Sequence, residues 1–358
     1  MHDQDVPTEL VSRLSHRLAD MLYAMITISD PPKPMEGNTQ DRLSSLGILD
    51  RLPTELLHEV LSRLDFQSLT QFSRVSIQGK SVLQSLPAYR DLMNHAPHAL
   101  AALHRTQLIH LHSASELLTA LRTERCATCP EYGTYLFLPT CERCCWQCLR
   151  SNPTRQVISL TAASKAFALS PKMISTLPVM VSIAGTYGVA RKSTRVSYKL
   201  VSVCAAKKLA MSIHGSVGKL TEAVVRRNPN KRAAYIARYL QAAFSDSASL
   251  DPLMMPDQGG VGVDRYFGMA SIPFPSFTAL GVVESGVWCK GCEWTYQRYK
   301  NLQLPAHVIT NMVPADCDPD RVLFGMIRRA HSRMGLSAHI RHCYGAQRLL
   351  ADEAGKED

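Results

Sequence analysis

Two pairs of cysteines have the spacing of a metal site. Cys126-Ala-Thr-Cys129 and Cys145-Trp-Gln-Cys148 are C-x2-C motifs with 15 residues between them. Such a turn directs two thiolates at one centre, and two turns together complete the tetrahedron that Zn²⁺ prefers. Because four protein ligands leave no open coordination position, we expect this zinc to be structural and not catalytic.

Two neighbouring cysteines offer an alternative for half of this site. Cys141 and Cys144 also form a C-x2-C pair, but only 11 residues separate Cys129 from Cys141. The spacing of four-cysteine zinc sites favours Cys145 and Cys148. The sequence leaves both choices open.

A second candidate metal site is spread over the last third of the chain. It combines Cys289-Lys-Gly-Cys292 with His339 and Cys343. His339 and Cys343 are four residues apart, so on one helix they would share a face. His331 and His342 are rivals for the nitrogen ligand, but His342 is adjacent to Cys343 and would point elsewhere. We therefore predict a second structural zinc, with three cysteines and one histidine as ligands.

The 11 cysteines of the 358-residue chain favour metal ligation over disulfides. The N-terminus lacks the basic and apolar regions of a secretory signal. Two apolar stretches, 173–190 and 266–283, are interrupted by proline and diluted with Ser and Thr, which argues against membrane spans. We expect an intracellular protein, in the cytoplasm, the nucleus or both.

The elements that precede the first cysteine pairs are predicted to be helical. Residues 51–90 contain three short amphipathic helices, whose apolar positions are Leu56, Leu57, Val60, Leu61 and Leu64, then Leu69, Phe72 and Val75, then Val82, Leu83 and Leu86. A unit of this size has too little core to be stable alone. It therefore needs a partner surface.

The order Leu-Pro, Glu-Leu-Leu, Val-Leu-Ser-x-Leu, Ser-Leu and Phe-Ser-x-Val-Ser in this unit resembles the F-box. The resemblance implies docking onto the Skp-family adaptor of cullin–RING ubiquitin ligases. The residues that it implies for this contact are Leu52, Pro53, Leu56, Leu57, Val60, Leu61, Leu69 and Phe72.

The cysteine motifs after this unit, together with Trp-Cys-Lys-Gly-Cys and a closing His-x3-Cys-x3-Gln, resemble fungal F-box proteins with a cysteine-rich C-terminal region. This resemblance implies a substrate-recognition subunit of an SCF-type ubiquitin ligase that binds an unknown target protein. The sequence lacks G-x-S-x-G, G-x-x-x-x-G-K-[ST] and H-E-x-x-H motifs, so we predict that the chain is not an enzyme.

The predicted fold is mainly α with minor β, in which the three-helix F-box unit is followed by an irregular, zinc-stabilised α+β region. The expected divisions are a largely disordered leader over 1–47, the F-box over 48–92, a zinc-stabilised substrate-recognition region over 93–350 and a frayed tail over 351–358. A further amphipathic helix is predicted over 230–244.

The net charge of +10 leaves one other function open. The basic residues form small clusters spread along the chain without interleaved aromatics, which is typical of a solvated surface. With the four-cysteine site, the charge also allows a zinc-ribbon nucleic-acid-binding protein. We regard this as the alternative function.

Overall fold

The structure is a computed structural model that describes residues 8–33, 44–227, 265–278 and 281–354. The helix predicted over 230–244 lies outside the described residues. Helix accounts for 55% of the described residues and strand for 13%. This confirms the predicted fold class, mainly α with minor β.

The described α-helices are short, and most are separated by tight turns. They are α1 Thr8–Leu14, α2 Ala19–Tyr23, α3 Thr54–Ser62, α4 Phe66–Val75, α5 Ile77–Ser85, α6 Pro87–His95, α7 Pro97–Arg105, α8 Ala114–Arg122, α9 Trp146–Ser151, α10 Leu160–Phe167, α11 Pro171–Ile174, α12 Val203–His214, α13 Val217–Arg227, α14 Lys290–Lys300, α15 Ala306–Met312, α16 Pro319–Ile327, α17 Arg333–Ile340 and α18 Tyr344–Ala354. Short 3₁₀ helices cover Gly47–Arg51, Ile109–Leu111 and Pro153–Arg155.

The strands form small antiparallel sheets. They are β1 Ser15–His16, β2 Tyr135–Phe137, β3 Glu142–Cys144, β4 Val157–Ser159, β5 Met180–Val181, β6 Gly185–Tyr187, β7 Lys192–Thr194, β8 Lys199–Ser202, β9 Ser271–Pro273, β10 Ser276–Phe277, β11 Val283–Glu284, β12 Val287–Cys289 and β13 Ala330–His331. The three-stranded sheets have the orders β1-β12-β13, β3-β2-β9 and β4-β8-β5, and two hairpin-like pairs, β6-β7 and β10-β11, complete the set.

The F-box unit has the three helices that the sequence predicts, α3, α4 and α5, after a 3₁₀ turn. Side-chain caps mark where the helices begin. The Asp65 carboxylate accepts from the backbone N–H of Ser68 at 2.9 Å, and the Ser76 hydroxyl accepts from that of Gly79 at 2.9 Å. Each cap satisfies a backbone donor that the first helical turn leaves without an internal partner.

The core of this unit continues into the rest of the chain. Phe66 of α4 stacks on Tyr89 of α6 with ring centroids 5.3 Å apart, and both belong to one apolar cluster that extends to the buried cysteines around Cys145. The backbone N–H of Ala114 also donates to Leu64 O. The division expected near residue 92 therefore does not separate two cores.

The leader differs from the prediction of a largely disordered segment. Residues 8–33 contribute α1, β1 and α2, and Met25 and Ile26 are fully buried. The Ile26 N–H donates to Ser271 O, and Gly268, at φ +88, lies so close that a Cβ there would meet Ala24 O at 2.0 Å. These partners of the segment, Ser271 and Gly268, lie more than 240 positions away in the sequence. The composition of the segment alone could therefore not predict that it is ordered.

Three smaller apolar clusters lie beside the main one. One of them joins Val11 and Leu14 of α1 to Leu336 and Ile340 of α17 and to the second group of cysteines. The tail expected to fray from residue 351 begins inside α18, which ends at Ala354. None of the described helices is both long and apolar enough to cross a lipid bilayer.

Candidate functional site

A stripe of exposed apolar side chains runs along the outer face of α3 and its flanking turns. Ile48, Leu52, Leu56, Val60 and Leu64 follow one another at intervals of four residues, and their exposed fractions range from 36% to 76%. Leu56 and Val60 both belong to α3 and lie on the same face of that helix, whereas Ile48 is in the preceding 3₁₀ helix, Leu52 is in the extended link and Leu64 is in the turn that follows. A group of apolar side chains in contact with water is typical of an interaction surface.

The eight F-box residues predicted to bind the partner do not share one environment. Leu52, Pro53, Leu56 and Val60 are exposed, whereas Phe72 is half-buried. Leu57, Leu61 and Leu69 are at most 4% exposed and pack in the chain's own core. These three therefore stabilise the unit from inside, and the surface available to a partner consists of the exposed residues. Helix α3 is apolar on both faces, and only its inner face is covered by the described residues.

The first two cysteine pairs converge on one point. The thiol sulfurs of Cys126, Cys129, Cys145 and Cys148 all lie within 4.8 Å of one another. Cys129 Sγ is 3.6 Å from Cys145 Sγ and 3.5 Å from Cys148 Sγ. A tetrahedral site with Zn–S bonds of about 2.3 Å has sulfur–sulfur edges of about 3.8 Å, so this donor set fits a zinc ion. We call these four residues the first cluster.

Local structure explains how the first cluster forms. Strands β2 and β3 make a short hairpin, and Cys145 follows it as the N-cap of α9. The backbone N–H of Cys148 lies 3.4 Å from Cys145 Sγ, and that of Thr128 lies 3.4 Å from Cys126 Sγ. These N–H groups favour thiolates, which are the form that binds metal. Hydrogen bonds with neighbouring cysteines, Cys129 first, lower the pKa of Cys126, whereas hydrogen bonds with Cys126 raise the pKa of Cys145 and of Cys148.

The alternative pair, Cys141 and Cys144, lies outside the first cluster. Both are buried, as are the four cysteines of the first cluster, so burial does not distinguish the two choices. Cys141 Sγ faces Leu138 O at 3.9 Å, and Cys144 Sγ faces Glu142 O at 3.7 Å. The grouping therefore agrees with the preferred choice, Cys145 and Cys148, although their binding of a metal stays a prediction.

The second group of predicted ligands also converges. Cys289, Cys292, His339 and Cys343 have donor atoms within 4.8 Å of one another, and we call them the second cluster. Cys343 Sγ is 3.8 Å from Cys289 Sγ and from Cys292 Sγ, and His339 Nε2 is 3.2 Å from Cys292 Sγ. Three thiolates and one imidazole fit a closed, structural zinc site. Either cluster could bind a metal ion.

The second cluster is assembled differently from the prediction. His339 and Cys343 were expected on one helix, but α17 ends at Ile340 and α18 begins at Tyr344, so Cys343 lies in the turn between them. The N–H of Cys343 donates to Ile340 O at 3.4 Å. Gly291 of α14 and Gly345 of α18 lie in such close contact that a Cβ on either would meet backbone at about 2 Å. This contact brings the two halves of the cluster together.

The rival histidines lie outside the second cluster. His342 is exposed. His331 stacks on His339 with centroids 4.6 Å apart, and burial, followed by the charge of His339, lowers its pKa to about 4. Burial also disfavours the charged form of His339, but hydrogen bonds with Cys289 and Cys343 outweigh this and raise its pKa to about 9. His331 therefore packs against the face of the His339 ring and is not one of the four clustered donors.

Arg143, which no sequence motif predicts, links three parts of the molecule. Its side chain is 2% exposed, and its guanidinium donates to the carbonyls of Ala120, Gly133, Phe274 and Pro275. Burial lowers its pKa to about 10, still well above neutral pH. Gly133 leaves room for it, because a Cβ there would lie 2.2 Å from Arg143 Cγ. Nothing in the local pattern distinguishes this arginine from a surface one.

Replacing Arg143 with Met is expected to lower the free energy of unfolding by about 3–5 kcal/mol. The change leaves four buried carbonyls without this donor, at about 1 kcal/mol or more each. Urea denaturation measures the effect. The matched control is Arg195→Met, since Arg195 is exposed and its replacement should change stability by about 0.5 kcal/mol or less. Equal midpoints for the two variants would contradict the role given to Arg143.

Comparison with known proteins identifies one family. A model of the F-box domain matches residues 49–90, which include α3, α4 and α5. No curated protein and no solved structure matches the chain. The chain therefore contains an F-box domain, which supports a role as an F-box adaptor.

Proposed function

We propose that this chain is the substrate-recognition subunit of an SCF-type ubiquitin ligase inside the cell. The observation that carries the proposal is the F-box match over α3–α5 together with the exposed apolar stripe on α3. The stripe binds a Skp-family adaptor and, through it, a cullin. The remainder of the chain binds a target protein, and the transfer of ubiquitin belongs to other subunits.

The stripe is suited to a protein partner because of its shape and its chemistry. Leu56 and Val60 place two exposed branched aliphatic groups one turn apart on α3, and Leu52 adds a third from the extended link before the helix. Burying such a side chain contributes about 1.5–3 kcal/mol, so a few of them support a stable contact. The inner residues Leu57 and Leu61 fix the orientation of α3 against the core and so position the stripe.

Two zinc ions complete the proposed architecture, one in each cluster. Both sites would be structural, since four protein ligands close the coordination sphere. The first zinc would stabilise the main core beside the F-box, and the second would join the N-terminal segment to the C-terminal helices. This part of the proposal is supported by the sulfur–sulfur distances and by the burial of all seven cysteines.

The double variant Leu56→Asp/Val60→Asp is expected to weaken binding of the adaptor by about a hundredfold or more. Two apolar contacts are lost and two charges are placed in the interface, which exceeds 3 kcal/mol in total. Co-purification of the adaptor from cells expressing the full chain measures this. Because both positions are at least half exposed, the variant should fold normally.

The matched control is Leu302→Asp/Met334→Asp, which adds the same two charges at side chains that are 93% and 82% exposed. It should retain the adaptor as the unchanged chain does. Failure of the unchanged chain to retain any adaptor would overturn the proposed function. Retention by the Leu56/Val60 variant would show that the stripe is not the docking surface.

A further inference from the structure

A cavity of about 820 Å³ opens beside the β6–β7 hairpin, and none of the described residues that line it belongs to either cysteine cluster. Three basic side chains, Arg150, Lys192 and Arg265, line it and are exposed. None of the described residues that line it is acidic. An anionic ligand would therefore meet positive charge there without a competing carboxylate.

The charge of the surrounding segment has the same sign. Between Arg143 and Thr221 the sequence has no Asp or Glu, although it contains 12 of the 40 Lys and Arg residues. The rest of the chain has 28 basic and 30 acidic residues, so its net charge is slightly negative. The net positive charge of the protein thus comes from this one segment, although small basic clusters are spread along the whole chain. Nine of the 12 basic side chains are exposed.

The floor of the cavity is apolar and aromatic. Tyr187 and Met269 are buried there, and Phe267 is half-buried and packs edge-on against Trp146 at 5.2 Å between ring centroids. Tyr187 is fixed by the hydrogen bond from its hydroxyl to Ile183 O at 2.8 Å. An apolar floor beneath a basic rim suits a ligand that carries both anionic and apolar groups.

The aromatic rings are arranged less favourably for nucleic acid. Tyr198 and Tyr266 pack edge-on against each other at 5.4 Å, and the Arg265 guanidinium lies 5.3 Å and 5.8 Å from their ring centroids. These faces are therefore already in contact within the protein, whereas binding of single strands uses open rings on which bases stack. A peptide with acidic and apolar side chains needs only the basic rim and the apolar floor.

We infer that this cavity, the basic cavity from here on, binds an acidic segment of the target protein. The anionic groups of the segment pair with Arg150, Lys192 and Arg265 at the rim, and an apolar side chain of the segment packs on Phe267 and Met269. Calling the bound protein the target rests on the proposed function, but the binding itself does not depend on the F-box.

The test measures binding of labelled peptides to the full chain by fluorescence anisotropy. The probes are a peptide in which Glu and Leu alternate, the same peptide with Gln for Glu, a phosphoserine version, and a single-stranded oligonucleotide. The variant is Arg150→Gln/Lys192→Gln/Arg265→Gln. Its matched control, Lys165→Gln/Lys172→Gln/Lys219→Gln, removes the same charge from exposed positions of the same segment that do not line the cavity.

We expect the Glu-Leu peptide to bind the unchanged chain and the control with the same affinity, and to bind the cavity variant at least about tenfold more weakly. Tighter binding of the phosphoserine peptide would identify phosphate as the preferred anion. Equal weakening in the two variants, equal binding of the Gln peptide, or preferential cavity-dependent binding of the oligonucleotide would overturn the inference. The cavity variant should still bind the Skp-family adaptor. A loss of peptide binding in that variant can then be distinguished from a failure of the F-box.

Discussion

If each cluster binds one zinc ion as proposed, replacing Cys148 with Ser is expected to unfold the main body of the protein and to remove one of the two ions. Cys148 is fully buried, and the first cluster belongs to the same apolar core as the F-box residues Leu57, Leu61 and Leu69. A structural zinc contributes on the order of 10–16 kcal/mol of apparent folding free energy. This is as large as the whole stability of an ordinary domain, about 5–15 kcal/mol.

Elemental analysis and circular dichroism during heating measure this effect. The matched control is Cys204→Ser, because Cys204 is half-buried and lies outside both clusters. It should retain both metal ions and melt within a few degrees of the unchanged chain. Removal of metal by a chelator should unfold the main body as the Cys148 variant does, and it should empty the second cluster as well. An unchanged melting temperature and zinc content in Cys148→Ser would show that the first cluster binds no structural metal.

Replacing Cys343 with Ser is expected to remove a similar free energy of folding. Its effect should be confined to the small core around the second cluster. The second cluster lies in a small separate core with Val11, Leu14 and Leu336. The N-terminal segment contacts the residues around this cluster. Ser15 of β1 pairs with Cys289 of β12, and Lys290 Nζ donates to Arg13 O at 2.6 Å. Loss of this metal should therefore loosen α1, β1 and the helices from α14 onward.

Hydrogen exchange followed by mass spectrometry locates the change. We expect faster exchange over residues 8–16 and 287–354 and unchanged exchange over α3–α8, with one zinc remaining and adaptor binding retained. Cys317→Ser is the control, because Cys317 is half-buried and outside both clusters. Uniformly faster exchange, with the F-box helices included, would contradict the separation of the two cores.

The features that the sequence predicted well are those coded by local spacing. The C-x2-C turns of the first cluster and the helical periodicity around Leu56 and Leu57 depend on residues a few positions apart. Periodicity could not tell which of these two leucines faces water, because α3 is apolar on both faces. That distinction depends on which neighbours cover the helix, and these come from other elements.

Contacts distant in sequence account for the rest. The segment around Met25 has the composition of a mobile leader, but residues near Ser271 bury it. His339 and Cys343 meet across a turn between two helices, where close approach of Gly291 and Gly345 sets their positions. Arg143 has no local signal, because its four acceptors come from three separate parts of the chain. The absence of acidic residues between Arg143 and Thr221 can be read from the sequence. Only the fold shows that basic residues of this segment line a cavity together with Arg265.

Calorimetric titration of a purified Skp-family adaptor into the purified full chain tests the central claim most directly. The F-box account predicts saturable binding of equimolar amounts, lost in Leu56→Asp/Val60→Asp and retained in Leu302→Asp/Met334→Asp. No binding to the unchanged, zinc-loaded chain would contradict the account.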